Sequence, residues 1–184
     1  NSDLAQKFFD QGLRLVYAFN HEEAIAAFTE ASRLDPDAPM PYWGVALSLG
    51  PNINAAMDPK VEPRAVEAMQ KATARLSQAT ARERAYVEAL AARYSAKKSV
   101  TRKAKDEAYA KAMRQVAREA PDDADAATIA AEAMFVLRPW VYWRADGRPQ
   151  PGTEEILAIL EAALRQHPDH PGACHYYIHA VEAS

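Results

Sequence analysis

The C-terminal end of the sequence concentrates its chemistry: His167, His170, His175 and His179 lie within one short stretch of a chain that has 5 histidines in 184 residues. His175, His179 and Glu182 are spaced by four and then three residues, which stacks imidazole, imidazole and carboxylate on one face of a helix. The His-x-x-x-His spacing puts two ring nitrogens where one ion can bridge them. Glu182 follows on the next turn, and His170, just upstream, is a further candidate ligand. An open zinc-type site takes three protein ligands and a water, and the same donors suit copper or ferrous iron, so ligand type leaves Zn, Cu and Fe open. The plainer alternative is that exposed positions tolerate histidine and that Glu182 is an i,i+3 partner for one ring. A zinc-protease signature is missing, because Tyr176 holds the place of its general base. Glu132 can supply a base or another ligand, or be a solvated glutamate.

Residues 138–147, Arg-Pro-Trp-Val-Tyr-Trp-Arg-Ala-Asp-Gly, form the second candidate. Trp140 and Trp143 on a connector predict an aromatic lid over a small apolar or planar ligand, or else a loop pinned by its own aromatics. Gly50 to Asn54 reads as a helix end and loop, with ligand contacts from Asn52 or Asn54 as the alternative. The basic run Lys97, Lys98, Arg102, Lys103, Lys105 is followed directly by Asp106 and Glu107, the pattern of a solvated face. Cys174 falls at a packing position and reads as a core residue. With no Ser-His-Asp order, glycine-rich phosphate loop or Cys-x-x-Cys pair, covalent catalysis has no visible nucleophile.

The elements that must position these residues are helices. About 40 alanines against 6 glycines is the composition of closely packed helices, and the chain is expected to be all-α. A formal net charge of -3 and a pI near 6.0 argue against a nucleic-acid footprint. No apolar run approaches the roughly 18 residues of a membrane span, so membrane insertion is not expected. One cysteine allows no internal disulfide, which leaves the compartment open. Helices are predicted over 3–19, 21–34, the early 40s, 63–76, 80–94, 101–119, 123–137, 153–167 and from 171 to the end, making four antiparallel pairs and an unpaired ninth helix.

The pairs repeat. Phe8, Gly12, Leu15, Ala24, Phe28 and Pro36 resemble the tetratricopeptide pattern, and adding the 34-residue period of that repeat to Phe8, Gly12 and Leu15 lands on Tyr42, Ala46 and Leu49. Ile156, Leu160, Ala163 and Pro168 echo the spacing of Ala24, Phe28, Ala31 and Pro36. The resemblance implies a right-handed α-solenoid forming one superhelical domain over residues 1–184, with a generic helical bundle as the alternative. In such repeats the first helices line a concave groove. The groove positions are then Phe9, Leu13 and Val16, followed by Trp43, Leu47 and Gly50, then Thr128, Glu132 and Phe135, and finally His175, His179 and Glu182. This groove is largely apolar and aromatic and lacks the lysines and asparagines of a carboxylate clamp. It implies a module that binds a protein segment or a small ligand, with a metal carrier or metal-dependent enzyme as the alternative.

Three strings carry a closer resemblance: Phe19-Asn20-His21-Glu22-Glu23-Ala24; Tyr42-Trp43-Gly44-Val45-Ala46 with Leu49-Gly50-Pro51-Asn52; and His167-Pro168-Asp169-His170-Pro171-Gly172-Ala173-Cys174-His175-Tyr176-Tyr177-Ile178-His179. They are similar to an uncharacterised bacterial family of tetratricopeptide proteins over essentially the whole chain. That family implies an export signal, a periplasmic or secreted home rather than a cytoplasmic one, and further histidine-bearing repeats after the equivalent of Ser184. His170, His175, His179 and Glu182 match its histidine motif, to which no activity is attached. An unpaired last helix also implies a protein partner or self-association there.

Overall fold

The computed structural model describes residues 2–94 and 99–184. Lys97 and Lys98 of the basic run lie outside the described residues. Among the described residues regular structure is all helical. The α-helices are α1 (Asp3–Tyr17), α2 (His21–Leu34), α3 (Met40–Ser48), α4 (Glu62–Thr73), α5 (Ala81–Arg93), α6 (Arg102–Glu119), α7 (Ala124–Val136), α8 (Thr153–Gln166) and α9 (Pro171–Val181). A short 3-10 turn at Leu76–Gln78 and two isolated β-bridges complete the inventory. The all-α expectation holds, with element ends within a few residues of those predicted.

Local chemistry explains the ends. The side chains of Ser2, Thr101 and Asp123 accept the backbone N–H three residues on, satisfying an orphan donor at the starts of α1, α6 and α7. Thr80 and Glu83 form a reciprocal capping box at the start of α5. Three helices stop in one way. Asp35, Ala120 and His167 each precede a proline, and proline's ring pushes the residue before it out of the helical region. Their φ/ψ values are nearly the same, at -136/80, -128/70 and -133/72 degrees. Each stop runs into Pro-Asp and then a new helix, so the helix-turn-helix step recurs in geometry as well as in sequence.

The chain divides into two compact units, Asn1–Pro51 with Ala56–Lys97 and Asn52–Ala55 with Lys98–Ser184. In the first, α1, α2, α3 and α4 pack consecutively, and α3 also meets α1 and α5. The short connectors from α1 to α2 and from α2 to α3 force antiparallel neighbours, whereas the longer loop 49–61 joins α3 to α4. The Phe28 ring fills the space against Gly12 of α1 and Gly44 of α3. A tilted aromatic chain continues through Phe9, 5.4 Å from Phe28, and Trp43, 6.5 Å from Phe9, to the edge-on ring of Tyr86 at 5.5 Å. In the second unit α7 is the hub, packing against α6, α8 and α9. Every residue from Thr128 to Phe135 is buried as a result. A two-pronged Arg114–Glu155 pair at 2.8 and 2.7 Å ties α6 to α8. Among the described residues no helix is long and apolar enough to cross a membrane.

These arrangements correct the groove expectation. Trp43 is only 1% exposed, and Leu47, Thr128, Glu132 and Phe135 are buried too, so they are core rather than groove lining. The reasons are register and surroundings. The α1 stripe buries Ala5, Gly12, Val16 and Tyr17, so Val16 is core, while Phe8, Phe9, Leu13 and Leu15 are half-buried and Phe9 sets its ring against Phe28 and Trp43. Helix α3 is short, apolar on most sides and packed by several neighbours, which leaves Trp43 no open face. Cys174 is half-buried rather than core, its Sγ 3.3 Å from the Pro168 carbonyl oxygen.

Candidate functional site

The second unit brings together two features that sequence spacing kept apart, the aromatic connector and the histidine face. Helix α9 buries Gly172, Ala173, Tyr176 and Ala180 on its inner side, with the Tyr176 ring stacked 5.9 Å from Phe135 of α7. With that side inward, the helical period turns Ile178 and Glu182 outward, while His175 and His179 lie along the flank, partly buried. The His175 and His179 Nε2 atoms are 3.0 Å apart, and the His179 Nδ1 lies 2.7 Å from Glu182 Oε1. That carboxylate accepts from Nδ1–H, which assigns His179 the tautomer with a bare Nε2. The hydrogen bond between the rings is then donated by His175.

The connector from α7 to α8 is pinned over this helix. Tyr142 is buried with its ring edge 4.6 Å from Phe135, and its carbonyl accepts from Thr153 Oγ1 at 2.7 Å. Trp143 Nε1 donates to the Ala180 carbonyl at 2.7 Å. A small ribbon closes the segment, with Gln150 N–H donating to the Tyr142 carbonyl and Arg144 N–H to the Arg148 carbonyl, both at 2.8 Å. Of the two expected lid residues, Trp143 is therefore a fastener.

Trp140 differs. It occupies the third position of the turn 138–141, closed by the Val141 N–H on the Arg138 carbonyl at 3.2 Å. Pro139 precedes it, and its φ is +62 degrees. Proline second and a positive φ third is the type II pattern, in which glycine ordinarily takes the third place. Here a tryptophan does, 49% exposed, with its ring edge-on to His179 at 5.1 Å. The neighbouring Val141 is 51% exposed and Ile178 of α9 is 56% exposed.

The charges of two carboxylates reach the buried phenol of Tyr142. Burial pushes Tyr142 up to about 12 from its ordinary 10.0, the nearby Trp140 backbone opposes the rise, and the charges of Glu132 and Glu182 add to it. Glu132 is thus a buried neighbour of the site rather than a solvated groove residue.

His170 is engaged elsewhere. It caps α9, its Nδ1 accepting from Ala173 N–H at 3.0 Å while its Nε2 donates to Asp125 Oδ1 of α7 at 3.0 Å. With both ring nitrogens committed, it is a structural cap. Among the described residues no group of three or more His, Cys, Asp or Glu stands in metal-holding geometry. Glu182 acts on His179 from the ring's far nitrogen, and the convergent donors are the two Nε2 atoms. Asn52 closes its own loop, its Oδ1 accepting from Asn54 N–H at 2.8 Å and Ala55 N–H at 3.1 Å. Val141, Tyr142 and Ile178 are the site residues that sequence spacing did not single out. The Pro139-Trp140 pair, with no glycine in the third place of a turn, was the available signal for a strained presentation. The chain matches no protein-family model and no curated protein.

Proposed function

We propose that the chain is a tetratricopeptide-like binding module that takes a short apolar protein segment on the surface formed by Trp140, Val141 and Ile178. The observation that carries this reading is Trp140 itself. A left-handed backbone costs an L-residue roughly 1–2 kcal/mol, and here that cost holds a large ring half out of the core. Strain of this kind is retained where the presented side chain has work to do. Exposed apolar side chains beside a polar histidine face match the aromatic anchor and polar rim of a protein interface. A small ligand would instead want concave walls around it.

The resemblance to exported repeat proteins favours a periplasmic or secreted setting for the partner. Trp140 offers about 100 Å² of open indole, worth about 2.5 kcal/mol on burial, close to a hundredfold in affinity. The test is to pan a displayed peptide library on the immobilised chain and measure the recovered peptides against wild type and Trp140→Ala by fluorescence polarisation. Peptides with bulky apolar side chains that lose at least tenfold against the variant support the reading. Peptides that bind both proteins equally overturn it.

A further inference from the structure

We propose that His175 and His179 chelate one divalent transition-metal ion through their Nε2 atoms, that Cu(II) is preferred to Zn(II), and that Glu182 positions His179 from outside the ligand set. This rests on the geometry of the pair and is independent of whether a protein segment docks on Trp140. Two metal–nitrogen bonds of about 2.05 Å at a right angle place the nitrogens about 2.9 Å apart, whereas a tetrahedral angle needs about 3.35 Å. The observed Nε2 separation of 3.0 Å is that of the hydrogen bond between the rings, and it lies within reach of either angle, so the order of Cu(II) over Zn(II) rests on the donor set. Copper also stands highest in the affinity order for nitrogen donors. One turn of helix fixes the backbone spacing of the two rings, so little has to be ordered on binding.

The carboxylate completes the argument. Metal-bound imidazoles characteristically donate their other N–H to a carboxylate or carbonyl, which fixes ring and tautomer. Glu182 does this to His179 at 2.7 Å, which leaves the His179 Nε2 lone pair facing His175. His175 then has one adjustment to make: its proton, shared across the pair, transfers through solvent to its own Nδ1, freeing the second Nε2 with no net proton release. Both histidines are partly exposed, and solvent supplies the remaining ligands. The Trp140 ring, edge-on to His179 at 5.1 Å, stands close enough to report a paramagnetic ion by quenching.

The experiment uses the untagged chain carrying Cys174→Ser, so that the single thiol takes no part. Cu(II) and Zn(II) are titrated separately by calorimetry, with tryptophan quenching and electron paramagnetic resonance on the copper samples. The expected result is one copper ion coordinated by two equivalent nitrogens, bound more tightly than zinc. This binding is lost in His175→Ala and in His179→Ala. It persists in His170→Ala, whose ring is engaged elsewhere. Glu182→Ala weakens copper about tenfold, and Glu182→Gln, which still accepts from Nδ1–H, recovers most of it. Nitrogen NMR of His179 then shows the Nδ1–H tautomer in wild type and in the glutamine variant, and its loss in the alanine variant. Trp140→Phe keeps the heat and loses most of the quenching. Unchanged affinity in His175→Ala, or a one-nitrogen copper signal in wild type, overturns the chelate. Zinc binding tighter than copper overturns the preference for Cu(II). Since these readouts use metal alone, peptide binding succeeds or fails separately.

Discussion

The left-handed backbone of Trp140 is open to a direct energetic test with two substitutions, Trp140→Ala and Trp140→Gly. Both remove the indole and its packed half, about 100 Å² worth about 2.5 kcal/mol, so both fall below wild type by similar amounts. They differ in the backbone. At an ordinary position alanine is more stable than glycine by about 0.4–1 kcal/mol, because glycine's unfolded chain is freer. At φ of +62 degrees alanine retains a left-handed cost of roughly 1–2 kcal/mol that glycine does not. The difference reverses the order, and Trp140→Gly is expected to be more stable than Trp140→Ala by about 0.5–1 kcal/mol. Urea unfolding followed by circular dichroism measures it, with hydrogen exchange in α9 to confirm that the change lies in the second unit. Alanine equal to or above glycine would refute the strain, and with it the argument that the turn holds the indole outward at a cost.

Other consequences are equally specific. A Cβ on Gly44 would sit 2.5 Å from Phe28 Cδ1, so Gly44→Ala is expected to lose about 1–2 kcal/mol despite its better helix propensity. In a Phe28→Leu background most of that loss disappears, giving a coupling of about 1 kcal/mol or more in a double-mutant cycle; strict additivity counts against the packing. His170→Ala removes the α9 cap and should cost about 1–2 kcal/mol, with His170→Asn restoring roughly half, read from thermal melts. Tyr142 has a folded pKa raised to about 12, so its contribution is complete below pH 10 and declines as pH rises from 10 towards 12, where the unfolded chain ionises first. Alkaline denaturation should therefore be shallower in Tyr142→Phe, and identical slopes would contradict the burial.

The sequence by itself determined the helices and where they stop, because those signals are local. Pro36, Pro121 and Pro168 each force the preceding residue out of the helix, and Thr80 with Glu83 caps α5, whatever surrounds them. The i,i+4 pairing of His175 and His179 is local in the same sense, so the convergence of their rings was legible from spacing. What only the tertiary structure decided was which side of each helix faces solvent. Trp43 and Phe135 occupy expected groove positions, but burial depends on how many neighbours surround a helix, and α3 and α7 are enclosed by several. His170 read as a ligand because residue type cannot show that both ring nitrogens are already committed, one to Ala173 and one to Asp125, which is 45 residues away in the chain. Trp140 and His179 are separated by most of two helices, and their meeting depends on Tyr142 being anchored against Phe135 and Trp143 on the end of α9. Capping and turn chemistry act over a few residues of backbone, whereas solvent exposure and long-range side-chain contacts exist only once the helices have packed.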